Sequence, residues 1–245
     1  MKNLLKMEKY HLLKNRIYWG GSIGIFLIGL FTAETYVEEV LGPAGGAAAS
    51  LSDIFNGMIY DSTFLLIFVA SILALILGQE FSSRTITQEV SAGHARKNIF
   101  AAKVISYLAA FNCMAVLYPI AGCVREYARF GLADADVFFY NVIKGILYSF
   151  AVNSTILLIA VFMCCYFKCM AKAVAATAIT TFILSLYLGY GMMLHFPVSF
   201  LPAFQIREVV SSPAFIVVPA LFVSVIWILV LLALSWKCFC KCDLK

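Results

Sequence analysis

The polar residues best placed to do chemistry concentrate in one stretch, residues 79–103, which reads QEFSSRTITQEVSAGHARKNIFAAK. Thr85 and Gln88 have the spacing of a capping box, in which two side chains satisfy the free amides at a helix start. Gly93 supplies a residue that can turn left-handed at a helix end. This stretch, called the polar connection below, therefore predicts a short helix that a partner protein could bind.

The faces of this short helix differ in character. Ile86 and Val90 lie four residues apart and share one side. The other sides carry Thr87, Gln88 and Glu89. Positive charge surrounds the helix, from Arg84, Arg96, Lys97 and Lys103. The alternative interpretation is an ordinary basic loop, because a capping box is a frequent accident of sequence.

The chain lacks the residue patterns of common enzyme classes. A phosphate-binding loop needs Gly-x-x-x-x-Gly-Lys-Ser/Thr, and no Gly-Lys pair occurs in the sequence. His11, His94 and His195 are too dispersed for the His-Glu-x-x-His zinc pattern. Asp134 and Asp136 share a short loop, where capping a helix is the more frequent role. We therefore expect no enzyme, and neither a cofactor nor a metal ion held by this chain.

The elements that must position the polar connection are membrane helices. Of the 245 residues, 63% are hydrophobic and 13% charged, which is too apolar for a soluble domain. A membrane helix needs about 20 apolar residues to cross roughly 30 Å of hydrocarbon. Such runs lie at about residues 17–33, 58–78, 101–124, 142–167, 173–194 and 214–236. We predict an all-α integral membrane protein with six transmembrane helices in one domain, residues 1–245.

The segments outside these spans carry their own signals. Residues 1–16 are basic and partly apolar, which favours an interfacial helix over a cleaved signal peptide. Pro119 is expected to kink the third span, and Asp134 or Asp136 to cap the fourth. Residues 195–213 contain three prolines yet stay apolar, which predicts broken helices that re-enter the outer leaflet.

Basic residues set the orientation. With six spans and both termini inside, the cytoplasmic side holds all of the 18 Lys and Arg residues except Arg125, Arg129, Lys144 and Arg207. Cytoplasmic loops prefer Lys and Arg, so the termini and the polar connection are predicted to be cytoplasmic. Because these basic residues sit in short loops, we expect a lipid bilayer and no nucleic acid as the charged partner.

The eight cysteines fit this orientation. Six of them fall at predicted cytoplasmic helix ends or in the tail, where thiols stay reduced, so structural disulfides are not expected. The terminal Cys238, Cys240 and Cys242 could bind a soft metal. They lack the paired spacing of a zinc site, and free thiols are the favoured interpretation.

The interiors of the predicted spans contain no Asp, Glu, Lys or Arg away from their ends. Carriers driven by protons or sodium commonly place an ionisable group at mid-membrane as a ligand for the coupling ion. Ion-coupled transport by these helices alone is therefore disfavoured, and energy for transport would come from a partner.

The order Glu80, Thr85, Gly93, Arg96 and Lys103 resembles the pattern of ABC exporter permeases of the second type. That family has a Glu ending the second membrane helix, a Gly-Thr pair, a Gly or Pro, an Arg and a Lys. Arg84 stands here where the Gly of the pair is expected, and the six-helix layout extends the likeness over the whole chain. The resemblance implies a coupling helix that docks on a separate ATPase subunit, through Glu80, Arg84, Thr85, Gln88, Gly93 and Arg96.

The resemblance also implies an assembly. Two permease chains, identical or different, would enclose a path lined largely by the second and fifth helices, with two ATPase subunits binding ATP and Mg. Small permeases of this kind resemble exporters of amphipathic peptides, including lantibiotics and bacitracin, in the bacterial cell membrane. Drugs, lipids or polysaccharides are alternative substrates, and a non-transporting scaffold or sensor is the alternative from another class.

Small residues indicate where helices approach closely. The fifth span carries one at every fourth position, namely Ala173, Thr177, Thr181, Ser185 and Gly189, and the first span carries Gly20 and Gly24. Either face could form a dimer seam or pack within the chain. Phe64 and Phe68 of the second span are expected to line the substrate path or to face lipid.

Overall fold

Ten α-helices and no strand make up the part of the chain that the structure describes. The computed structural model describes residues 2–39, 50–132, 135–211 and 217–241. In chain order the helices are α1 Lys2–Lys14, α2 Arg16–Glu39, α3 Leu51–Tyr60, α4 Thr63–Ser82, α5 Thr85–Ser91, α6 Arg96–Phe130, α7 Ala135–Phe167, α8 Met170–Met193, α9 Pro202–Ser211 and α10 Val217–Cys240.

Six of these helices are long and apolar enough to cross a membrane. They are α2, α4, α6, α7, α8 and α10, each with a window of high mean hydropathy and few charged residues. The predicted all-α fold is therefore confirmed for the described residues, with six helices that have the length and composition of membrane spans. The remaining described helices, α1, α3, α5 and α9, are short.

The second span begins later than the sequence predicted. Met58, its predicted start, belongs to α3, and α4 begins only at Thr63. Between the two helices the Ser62 hydroxyl donates to the carbonyl of Ile59 at 2.7 Å. A serine that bonds the nearby backbone competes with helix continuation, which accounts for the break inside an apolar run.

The third and fourth spans are longer than predicted. α6 has 35 residues and α7 has 33, which at about 1.5 Å per residue exceeds the roughly 30 Å hydrocarbon core. α6 continues through Pro119, and the kink expected there stays a prediction. Asp136 lies in the first turn of α7, while Asp134, the other predicted cap, lies outside the described residues.

One end of the bundle gathers the segments that the charge pattern had grouped together. Arg96, at the start of α6, donates through Nη1 to the carbonyl of Cys240 at the end of α10, at 3.0 Å. The amide of Met170, at the start of α8, donates to Ser82 Oγ at 3.2 Å. α1 packs against α6 near the same place. α1, the end of α10 and the polar connection therefore share one end of the molecule.

The opposite end is tied together by Arg207 of α9. Its Nε donates to the carbonyl of Tyr60 at 3.3 Å, and its guanidinium lies 4.9 Å from the centre of the Tyr60 ring. Its Nη2 donates to Thr63 Oγ1 at 3.4 Å, so one side chain holds α9 to the break between α3 and α4. α9 is the helical piece predicted within residues 195–213, of which Pro213 lies outside the described residues, and its depth in a bilayer stays a prediction.

The core centres on α4, which packs against α8, α7, α6 and α2. The stripe of small residues on α8 faces this core: four of its five members are buried within the chain, namely Ala173, Thr177, Thr181 and Ser185. Burial of these four positions within one chain favours packing inside the chain, and a dimer seam on α8 stays a prediction. Gly189 is exposed, and a Cβ at Gly20 or Gly24 would meet nothing within 4 Å.

Glycine lets α2 approach α6 closely at one point. A Cβ built on Gly29 would lie 2.6 Å from the carbonyl oxygen of Tyr118 and 2.8 Å from the Cβ of Ala121. The first atom is part of the α6 backbone and the second is attached directly to it, so neither can move aside by a side-chain rotation. The contact between these two spans therefore depends on the missing side chain.

Gly29→Ala should separate α2 from α6 and destabilise the protein by about 1–3 kcal/mol, the usual cost of overpacking. Gly24→Ala in the same helix is the matched control. It meets open space and should be neutral or gain up to about 1 kcal/mol from helix propensity. Thermal unfolding of the two purified variants would compare them. Equal stability of both would show that α2 does not contact α6 as described.

Candidate functional site

Lys103 of α6 lies at the centre of a buried group of charges. Its side chain is only 5% exposed. Its ammonium donates to Glu8 Oε1 at 2.7 Å, to Glu80 Oε2 at 2.7 Å and to Glu89 Oε1 at 3.0 Å. A lysine ammonium has three donors, so these carboxylates use all of them. With Tyr107, which donates to Glu80 Oε1 at 2.8 Å, these residues form what we call the Lys103 cluster.

The cluster joins four separate helices. Glu8 comes from α1, Glu80 from the last turn of α4, Glu89 from α5, and Lys103 with Tyr107 from consecutive turns of α6. Because one ammonium binds all three carboxylates, a displacement of any one helix changes the electrostatic balance at the other three. The geometry couples the four helices electrostatically through one ammonium.

Glu89 reaches the cluster because it shares the inner face of α5 with Ile86. Residues three apart on a helix lie on the same side, and both side chains are buried. The prediction that Glu89 lies on another face of α5 than Ile86 is therefore wrong. Val90 is half-buried and packs on the core as well, while Gln88 faces outward and is exposed.

The sequence did not predict a buried Glu8, and the predicted exposed position of Lys103 is wrong. Leu4, Glu8 and Leu12 lie four residues apart and form the buried face of α1, with Glu8 only 1% exposed. That spacing was the signal in the sequence for a buried face of α1. A carboxylate in a basic helix is, however, usually a surface residue. Lys103 was assigned to the positive charge around α5, whereas it is buried and its charge is offset.

The cluster carries more negative than positive charge. Burial raises the pKa of Glu8 from its ordinary value of 4.5 to about 7, with the charges of Glu80 and Glu89 adding to the rise and Lys103 opposing it. Glu8 Oε2 and Glu89 Oε2 have no hydrogen-bond partner among the described residues. A proton on Glu8 therefore relieves the crowding of three carboxylates around one ammonium.

The start of α5 differs from the predicted capping box. Arg84 occupies the N-cap position with φ of +58°, and Thr85 is the first helical residue, with no side-chain cap. The Thr85 hydroxyl instead lies 2.8 Å from Ser83 Oγ. A left-handed φ favours glycine, which is the residue expected at position 84 from the family resemblance. The departure at Arg84 thus falls at a backbone position where glycine would relieve strain.

The end of α5 agrees with the prediction. Gly93 has φ of +89°. Its amide donates to the carbonyl of Val90 at 3.0 Å, and the amide of His94 donates to that of Glu89 at 3.4 Å. These two bonds form a Schellman motif, the usual way for a left-handed glycine to end a helix. The left-handed turn predicted at Gly93 is confirmed.

The outer side of α5 is exposed. The exposed residues on it and beside it include Arg84, Gln88, Ser91, Gly93, His94 and Lys97. Thr85 is half-buried, and so is Arg96, whose bond to Cys240 fixes the start of α6. α5 therefore has an inner side held by the Lys103 cluster and an outer side available for contact.

The other predicted site residues lie apart from this cluster. Phe64 and Phe68 are 54% and 59% exposed on the surface of α4. A cavity of about 30 Å³ lies between α4, α7 and α8 and has room for water, far less than a peptide needs. None of the seven described cysteines is in a disulfide, and Cys242 lies outside the described residues. No group that could hold a metal ion occurs in the described part.

Comparison with known proteins assigns neither a family nor a function to this chain. No protein family model matches the chain, and a search of curated proteins finds no match. The function must be argued from the fold and from the Lys103 cluster.

Lys103→Met should destabilise the protein by about 3–5 kcal/mol, because removing one partner of a buried ion pair leaves uncompensated charge. Here the unpaired groups are three carboxylates brought together in one site. Lys97→Met removes an exposed charge from the same helix and should change stability by less than about 0.5 kcal/mol. Denaturation of both variants in the same detergent checks this. A loss of similar size in both would contradict the buried position of Lys103.

Glu8 should give stability a pH dependence of defined sign. The folded protein holds a proton on Glu8 between about pH 4.5 and 7 that the unfolded chain releases. Stability therefore falls as the pH rises through this window and levels off above it. The raised pKa sets an upper limit of roughly 3 kcal/mol on the effect.

Unfolding measured from pH 4.5 to 8 tests the role of Glu8. Glu8→Gln should flatten the decline, because the amide cannot ionise. Glu208→Gln is the control, since Glu208 is exposed and belongs to α9 at the other end of the bundle. An unchanged slope in Glu8→Gln would mean that other groups set the pH dependence.

Proposed function

We propose that this chain is the membrane permease subunit of an ATP-driven ABC exporter in a bacterial cell membrane. The single observation that carries the proposal is the two-sided α5, which has an exposed outer face and an inner face tied through Lys103 to the helices around it. A short helix built this way suits a surface that receives force from a soluble partner. The order of Glu80, Thr85, Gly93, Arg96 and Lys103 supports the same reading.

In the proposed mechanism, two ATPase subunits bind ATP and Mg, close on each other, and push α5. Glu89 transmits the displacement to Lys103, because the two side chains are 3.0 Å apart. Lys103 in turn binds Glu80, which ends the second span, and Glu8, which belongs to α1. The second span, the third span and α1 would then move together.

The proposed orientation places both termini and α5 in the cytoplasm. Its support is that α1, the polar connection, the turn before α8 and the end of α10 meet at one end of the bundle. These segments contain most of the basic residues. The positive-inside rule favours the cytoplasm for that end.

A second permease chain, identical or different, completes the proposed transport path. The cavity of about 30 Å³ between α4, α7 and α8 has no room for a substrate such as a peptide. The surfaces open to a second chain include Gly20 and Gly24 on α2, together with Phe64 and Phe68 on α4. An amphipathic peptide is the substrate we propose, with drugs, lipids and polysaccharides as alternatives of the same mechanism.

A photo-crosslinking amino acid at position 88 tests the docking of the ATPase. Gln88 is exposed on the outer face of α5, so a crosslink to a soluble ATPase subunit is expected, and substrate should stimulate ATP hydrolysis by the complex. Tyr140 is exposed on α7 and serves as the control position, where no such crosslink is expected. Gly93→Pro should abolish stimulation while leaving membrane insertion intact, because proline cannot adopt the φ of +89° found there.

The same experiment separates an exporter from a scaffold or sensor that only anchors a soluble partner. Crosslinking without substrate-stimulated ATP hydrolysis would favour the scaffold. Equal crosslinking at positions 88 and 140 would overturn α5 as the docking element. Full stimulation in Gly93→Pro would overturn the coupling role while leaving docking possible.

A further inference from the structure

A groove of about 390 Å³ lies between α1, α2 and α6, apart from the Lys103 cluster. Its walls are almost entirely apolar, and they include Leu5, Leu12, Leu13, Ile105, Ala109 and Ala110. Leu13 and Ile105 are about half exposed, so the groove opens outward on the surface of the bundle. Apolar walls of this extent fit a hydrocarbon ligand better than a polar one.

The groove is elongated along α6. Its lining on this helix runs from Ile105 to Cys113, a rise of about 12 Å at 1.5 Å per residue. Its other walls come from α1 and from Tyr18 of α2, whose hydroxyl donates to the carbonyl of Ala110 at 3.1 Å. Since α2 and α6 have the length and composition of membrane spans, a bilayer around them would place lipid hydrocarbon outside this opening.

Positive charge lies at the α1 side of the groove. Lys9 is the charged residue of the lining and is exposed. Lys2 and Lys6 are also exposed, and their spacing puts them on the same side of α1 as Lys9. The nearest carboxylate in sequence, Glu8, points into the Lys103 cluster and is bound there. A lysine stem can lie along apolar surface while its ammonium meets a headgroup phosphate.

We propose that this groove is a binding site for one acyl chain of an anionic phospholipid, whose phosphate lies at Lys9. The lipid would fill the space between α1 and the first and third spans. It would thereby hold α1 in the position from which Glu8 reaches Lys103. The site depends on the protein being in a bilayer and does not depend on an ATPase partner or on transport.

Native mass spectrometry of the purified full-length protein tests the site, with phosphatidylglycerol and phosphatidylcholine as the probes. Ala109→Phe fills the groove and should abolish retention of a tightly bound phosphatidylglycerol. Ala175→Phe is the matched control, since Ala175 is an exposed alanine on α8 outside the groove. Lys9→Gln should weaken phosphatidylglycerol retention roughly fivefold, as expected for one charge at a membrane surface. Lys172→Gln, at another exposed lysine, should have no effect.

Three outcomes would overturn the proposal. They are equal retention of the two lipids by the unmodified protein, equal loss in Ala109→Phe and Ala175→Phe, and equal effects of Lys9→Gln and Lys172→Gln. Thermal unfolding and size-exclusion profiles of the same samples distinguish an emptied groove from a misfolded variant. If Ala109→Phe fails to fold, Lys9→Gln still decides the result, because it removes a charge without adding volume.

Discussion

Burying a lysine ammonium costs several kcal/mol unless nearby acidic groups compensate its charge. In this chain the compensation comes from Glu8, Glu80 and Glu89, which belong to three different helices. The position of α1 and the position of α5 are both set by this requirement. An element that would otherwise be a loose connection between two spans is thereby held as part of the bundle, with one face left for contact.

Much of the fold follows from patterns that are local in sequence. Six apolar runs predicted six spans, because the length needed to cross hydrocarbon leaves a signal in each run by itself. Gly93 predicted the end of α5 for a similar reason, since only one residue type adopts its φ without strain. Two local predictions failed because of backbone geometry. The second span begins after a break at Ser62, whose hydroxyl bonds the carbonyl of Ile59. The predicted capping box is absent because Arg84 precedes α5 with a left-handed φ.

The candidate site was only partly predictable, because its main contacts are not local. Glu8 and Lys103 are 95 positions apart in the chain, and no periodicity relates them. Residue type alone makes a lysine at the start of a span look like a surface charge. The stripe of small residues on α8 was also only partly interpretable from sequence. Small residues permit close helix packing but do not specify which helix packs there. Tertiary structure assigned Ala173, Thr177, Thr181 and Ser185 to the interior of one chain.

α1 contributes residues both to the Lys103 cluster and to the apolar groove. On one side this helix delivers Glu8 to Lys103, and on the other side Leu5 and Lys9 border the groove. The position of α1 is therefore coupled to the Lys103 cluster by Glu8. With the proposed lipid bound in the groove, α1 would also connect that lipid to α5 through Lys103.

Hydrogen exchange measured by mass spectrometry on Lys103→Met tests the central claim most directly. If Lys103 holds both segments, peptides covering α1 and α5 will gain exchange together, while peptides from α9 at the far end of the bundle will not change. If α1 or α5 keeps its protection in this variant, the two helices are held by other contacts. The buried ammonium would then not be the junction on which this account rests.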